Sequence, residues 1–138
     1  MERYILDTNT WIEYFHQRNG VTDHVRAVGR KNLCASEVAL AELTFGAYNS
    51  DDYEWHIKEP EWLRETVTVL GISEVFDEYA QIRCALKQKK KTLDKEIGNF
   101  DILIGATALH YDLTVVTDNV KHFEPMPGVK VENWLARE

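Results

Sequence analysis

Cysteine is scarce in this chain. Only Cys34 and Cys84 occur among 138 residues, far apart, with no Cys-x-x-Cys pair and no zinc-ligand spacing. That excludes a disulfide framework and a thiolate metal site, and both residues read as buried thiols in a reducing compartment. Long apolar runs are missing too. No stretch approaches 18 apolar residues, and the N-terminus lacks a charged segment followed by a long apolar one. Neither a membrane span nor a secretion signal is therefore expected, and a cytoplasmic location is. Positive charge is in deficit, with a net −7 that argues against non-specific affinity for nucleic acid. Internal repeats and low-complexity segments are absent, apart from one lysine run.

What is present is an ordinary globular composition, 44% hydrophobic and 28% charged, in a length that suits one domain spanning residues 1–138. The charge is unevenly placed. Residues 49–66 hold six acids against two bases, whereas residues 83–95 hold six bases (Arg83, Lys87, Lys89, Lys90, Lys91 and Lys95) against Asp94 alone. A local contact with a polyanion is thus open to an acidic protein. Solvated lysines complementing a helix C-terminus are the plainer reading of the same run.

Short apolar strands alternate with helical stretches along the chain. Tyr4–Leu6 reads as a buried strand that delivers Asp7, with a helix beginning at Thr8 or Asn9; Asp7 acting simply as a cap is the other reading. Ser36 is a good N-cap for a helix over residues 37–48, where Val38, Ala41, Phe45 and Tyr48 share one face and Glu42 is the only charge between Val38 and Tyr48. Thr66–Leu70 is a strand candidate. A helix follows from Ser73 to about Lys90, with Val75, Tyr79, Ile82 and Leu86 on one face. Asp101 falls in the first turn of an apolar helix that Asn99 can cap. Leu113–Thr117 is the clearest strand and leads to Asp118 and Asn119, and Val129–Val131 is the last. The alternation predicts an α/β fold with a largely parallel central sheet flanked by helices.

Four carboxylates, Asp7, Glu42, Asp101 and Asp118, are set at strand ends or in apolar helices. In open α/β sheets such ends converge on one cleft. Carboxylates that close cannot all ionise unless a cation neutralises them. Oxygen donors with no histidine or cysteine in support favour Mg²⁺ or Mn²⁺ over zinc. Few protein ligands and open water positions suit an ion that grips phosphate. The residues alone reach metal-dependent phosphodiester chemistry and stop there.

At these positions the chain resembles a known family. Leu6-Asp7-Thr8-Asn9, Ser36 to Leu43, Phe100 to Ala108, Val115 to Asn119 and Glu132-Asn133-Trp134 look like the signature blocks of PIN domains, in the expected order. The likeness is strongest to VapC-type toxins of toxin–antitoxin pairs. It implies a PIN-domain-like fold and a metal-dependent endoribonuclease acting on RNA. It also implies a cofactor of Mg²⁺ (or Mn²⁺), neutralisation by a VapB-type antitoxin, and a homodimer. Asp7, Glu42 and Asp101 match the family's acidic triad, with Asp7 and Asp101 as metal ligands and Glu42 orienting water or acting as base. Either Asp118 or Asn119 fills the fourth place. Lys91 to Asn99 is longer than the usual turn before the third acid.

Three further expectations concern binding and rival functions. Lys89, Lys90 and Lys91 would meet RNA phosphates. The antitoxin would dock on the helical region that contains Trp11, Trp55 and Trp62, with Trp11 in the core. Two competing functions remain: a catalytically decayed binding module, and a strand-Asp phosphohydrolase. The latter normally carries Asp-x-Asp-x-Thr, whereas this chain has Asn9 at the second acid.

Overall fold

Residues 2–136 are described by the computed structural model. In chain order the elements are β1 (Tyr4–Leu6), α1 (Thr8–Phe15), α2 (Val21–Val28), a 3-10 turn (Arg30–Asn32), β2 (Leu33–Ser36), α3 (Glu37–Tyr48), α4 (Tyr53–His56), α5 (Lys58–Thr66), β3 (Thr68–Leu70), α6 (Phe76–Lys89), α7 (Leu93–Ile97), α8 (Asn99–Tyr111), β4 (Thr114–Val116), α9 (Val120–Phe123) and β5 (Lys130–Glu132). The strands form one sheet in the order β3-β2-β1-β4-β5, with every neighbouring pair parallel. Among the described residues no helix is long and apolar enough to cross a membrane.

Two cores lie on opposite faces of this sheet, and the period of two along β1 decides which residue serves which. Ile5 points to one face with Cys34 and Val115, where α6 and α8 supply Ile82, Leu86, Ile102 and Ile104, with Val75 just ahead of α6. Leu6 points to the other with Ala35 and Val116, where Trp11, Val21, Leu40, Leu43, Leu63 and Trp134 pack. Central strands covered on both sides read as unbroken apolar runs, which is why Tyr4-Ile5-Leu6 and Thr114-Val115-Val116 are conspicuous in the sequence.

The chain leaves β1 for β2 and β3 on one side, then returns to place β4 and β5 on the other. The order therefore reverses between β1 and β4. A crevice opens outside the carboxyl ends of the strands at such a reversal.

Several sequence expectations are corrected. Helix α6 obeys its predicted stripe, but Cys84 on it is exposed, because it lies off the face that carries Ile82 and Leu86. On α3 the stripe of Val38, Ala41, Phe45 and Tyr48 does not bury as a unit. Phe45 and Tyr48 are 69% and 71% exposed, and Ala39, Leu40, Leu43 and Ala47 make the core contact instead. Both faces of this helix are apolar, so periodicity alone does not tell them apart. The third strand starts two residues later than expected, because α5 runs through Thr66. Asp94, the lone acid among the bases of residues 83–95, lies in the interior. Its side chain is fully buried, bound by Arg83 at 2.6 Å and faced by Lys87 at 3.6 Å. The Arg83 hydrogen bonds hold its carboxyl below the usual carboxylate range. Arg83 and Lys87 are thus paired with Asp94, although both side chains stay partly exposed.

Candidate active site

Asp7 lies just beyond β1, at the reversal of strand order. It is the N-cap of α1: Thr10 donates to Oδ1 from its backbone N–H at 3.0 Å and from its hydroxyl at 2.7 Å. Oδ2 accepts from the Thr117 hydroxyl at 2.5 Å, across from the end of β4. The cap reading therefore holds, and the same residue lines a cleft. Asp7 is only 5% exposed, and burial pushes its pKa up, against the pull of the Thr10 and Thr117 hydrogen bonds; the charge of Asp101 pushes the same way as burial.

Glu42 projects from the middle of α3 and accepts from the Thr8 hydroxyl at 2.6 Å. Its pKa is raised by burial first, then by the charges of Asp101 and Asp7. Asp101 stands in the first turn of α8. Gly98 links α7 to this helix with φ +94°, a conformation that L side chains rarely adopt. Asn99 is the first helical residue, not the cap, and its side chain accepts from the Tyr79 hydroxyl at 2.7 Å. Tyr79 in turn accepts from Arg83, so the buried Asp94 pair braces the turn that carries Asp101.

The charge of Asp101 thus reaches both Asp7 and Glu42, and all three acids border one cleft. Asn9 lines both of its halves: one with Asp7, Asp118, Asn119 and Arg18, the other with Glu42, Gly98, Phe100 and Asp101. Asp118 borders the Asp7 half and accepts from Asn133 at 3.1 Å, whereas the Asn119 side chain reaches His122 at 2.8 Å. Among the described residues, no three His, Cys, Asp or Glu side chains close into a ready-made metal cage. An ion seated here would draw most of its ligands from water, as Mg²⁺-like ions do.

Sequence reasoning missed His122. Its Nδ1 lies 2.7 Å from Asp101 Oδ2, so the premise of an all-oxygen site without histidine does not hold. No spacing motif links the two residues, which are 21 positions apart. The only available signal is that α9 leaves β4 at the same end of the sheet.

Lys89 donates to the Pro125 carbonyl and Lys90 pairs with Glu96 at 3.0 Å, while no partner is seen for Lys91 among the described residues. Trp11 is fully buried, as expected, in an aromatic cluster with Tyr14, Phe15 and the half-buried Trp62. Trp55 is 63% exposed, with the Lys58 ammonium over its ring. Tyr14, Phe15, Trp55 and Trp62 line a groove of about 560 Å³ on this side of the molecule.

Residues 4–126 match the family model described as PIN domain. The chain belongs to the PIN-domain family. Its relatives include the tRNA(fMet)-specific endonuclease VapC of Salmonella typhimurium, 31% identical over 97% of this chain and 99% of that one. Ribonuclease VapC1 of Haemophilus influenzae is 32% identical over 95% of this chain and 97% of its own. Among solved structures, the DNA-bound VapBC of Salmonella typhimurium superposes with a TM-score of 0.85 at 29% identity, covering 97% and 99% of the two chains.

Proposed function

We propose that this protein is a VapC-type toxin: an endoribonuclease that hydrolyses RNA phosphodiester bonds with Mg²⁺ or Mn²⁺ and is neutralised by a VapB-type antitoxin. The observation that carries the reading is the placement of three acids around Asn9, with Asp7 on one side and Glu42 and Asp101 on the other, where burial first and neighbouring carboxylate charge second push the pKa of Asp7 and of Glu42 up. Carboxylates kept this close are destabilised by their own charge, and a divalent cation is the natural remedy. The donor set fits such an ion: hard carboxylate oxygens, an open cleft and room for water.

Asp7 and Asp101 would hold the metal, which supplies a grip on the phosphate and a lowered pKa for bound water. Asp7 is fixed by Thr10 and Thr117, so its carboxylate needs no reordering when charge arrives. Glu42, oriented by Thr8, takes the proton from the attacking water, a role that a carboxyl with raised pKa fills better than an ordinary one. Asp118 and Asn119 border the same cleft and assist there. Lys91, with Lys89 and Lys90 beside it, would meet flanking phosphates. The antitoxin would lie in the aromatic groove against Trp55 and Trp62. A second copy of the chain would cover the outward Phe45 and Tyr48 to make the homodimer.

Cleavage of RNA by the purified chain tests this. Chelation should abolish it, Asp101→Asn should lower it by several orders of magnitude with the fold intact, and Glu42→Gln should lower it roughly 10²–10⁴-fold. Full activity of Asp101→Asn would sink the assignment. Hydrolysis of phosphate monoesters without RNA cleavage would point to a phosphohydrolase, and no cleavage of either would leave a binding module.

A further inference from the structure

We propose that His122 is a nitrogen ligand in this metal site and that it biases the site toward Mn²⁺ over Mg²⁺. The inference rests on the metal-dependent reading above and goes beyond its carboxylates. Three side-chain heteroatoms converge on the outer side of Asp101: its own Oδ2, Nδ1 of His122 at 2.7 Å, and the Asn119 amide, 2.8 Å from the same Nδ1. With the Asn119 amide oriented as here, hydrogen bonding satisfies this trio only in part. Nδ1 has one direction to offer, either an N–H or a lone pair. As a donor it serves Asp101 and leaves the Asn119 NH₂ facing a spent nitrogen. As an acceptor it serves Asn119 and sets its lone pair against a carboxylate oxygen.

A cation bound between Asp101 and His122 removes the conflict. Both groups then direct lone pairs at the ion, and the Asn119 amide, whose orientation is assigned from its neighbours, can turn its oxygen inward. At 2.7 Å the two side chains are near enough that both could be donors to one small cation. His122 and Asp101 are one-third and one-quarter exposed, which leaves the ion reachable from solvent.

An imidazole changes which metal is preferred. Mg²⁺ demands oxygen and gives up its waters reluctantly, whereas first-row transition ions accept nitrogen. Replacing one oxygen position by Nδ1 therefore weakens Mg²⁺ relative to Mn²⁺. A site of oxygen donors alone would distinguish the two far less.

The test is Mn²⁺ and Mg²⁺ binding to the full chain by calorimetry, together with pulsed EPR of the Mn²⁺ complex, in the wild type and in His122→Gln. Wild type should show ¹⁴N coupling to the bound Mn²⁺. In His122→Gln that coupling should vanish, and the ratio of Mn²⁺ to Mg²⁺ affinity should fall about tenfold or more. His16 and His56 line a cavity behind Glu42, so the variant is what assigns the nitrogen. Unchanged circular dichroism will show that the variant is folded. Bound Mn²⁺ without nitrogen coupling, or an unchanged affinity ratio, overturns the inference while leaving the carboxylate site standing. Failure of the wild type to bind either ion overturns both this inference and the metal-dependent reading.

Discussion

At Asp7 two demands are met by one carboxylate. As a helix cap it must accept hydrogen bonds from α1, and as a member of the acidic cleft it must keep its charge where burial and Asp101 oppose it. The consequence is a pH dependence of stability with an unusual sign for an aspartate. Its folded pKa is raised, so between the ordinary carboxylate value of about 3.9 and that raised value the folded state binds more protons than the unfolded one. Stability contributed by this group therefore declines as pH rises through that window and stays low above it. Asp7→Asn keeps an oxygen for the cap and removes the charge. In chelator the variant should melt higher than wild type at pH 7, with a shallower loss as pH rises above the ordinary carboxylate value of about 3.9. Added Mn²⁺ should raise the wild-type midpoint and leave the variant's nearly unchanged. A variant that melts at or below wild type in chelator would show that the cleft carries no charge strain at Asp7. His122 gives the complementary lesson at this scale: a partner brought in by a separate short helix leaves no trace in local sequence.

Among the elements, α8 does most to define the cleft, since it carries Asp101 at one end and packs on the sheet along its length. Its apolar run is legible in the sequence, and so is the strand that follows it. The close approach at Gly105 is not. A Cβ there would collide with Met126 Sδ, and Met126 is itself buried beside Phe123. Gly105→Ala gains helix propensity, but overpacking a filled core typically costs about 1–3 kcal/mol, so the net effect should be destabilising. Urea unfolding should show a lower midpoint with an unchanged slope. A stabilised variant would mean that Met126 moves aside freely. The failures of sequence reading at this scale share a cause. Periodicity locates α3 and α6, yet α3 is apolar on two sides, so its stripe does not reveal that Phe45 and Tyr48 face outward. Asp94 resembles a surface charge because its partners lie on a neighbouring helix, and pairing across helices is a tertiary fact.

For the whole molecule, the central tension in the proposed function is electrostatic: a chain of net charge −7 with an acidic cleft would have to attract a polyanion. A bound metal would offset the cleft locally, but screening would confine that effect to about 10 Å at 0.1 M salt, so phosphates on either side would need other cations. The lysine run at the end of α6 is thinner than its sequence suggests. Arg83 and Lys87 are committed to Asp94, Lys89 to the Pro125 carbonyl and Lys90 to Glu96. The Lys90–Glu96 pair is exposed, and exposed pairs are worth little, so Lys90 can exchange Glu96 for a phosphate at small cost. Lys91 has no such competitor among the described residues. Replacing Lys89, Lys90 and Lys91 together by Gln should therefore break one or two lysine–phosphate pairings. On single-stranded RNA, the loss of each such pairing flattens the slope of log affinity against log salt by about 0.7. The expected change is about 0.7–1.4 by the same rule, measured on a cleavage-dead Glu42→Gln background so that the RNA survives titration. Single-turnover cleavage at saturating RNA, measured with Glu42 restored, should change far less, since none of the three lysines touches the carboxylates of the cleft. An unaltered salt slope in the triple variant would return the run to solvent and leave RNA attraction to the cleft and its metal alone.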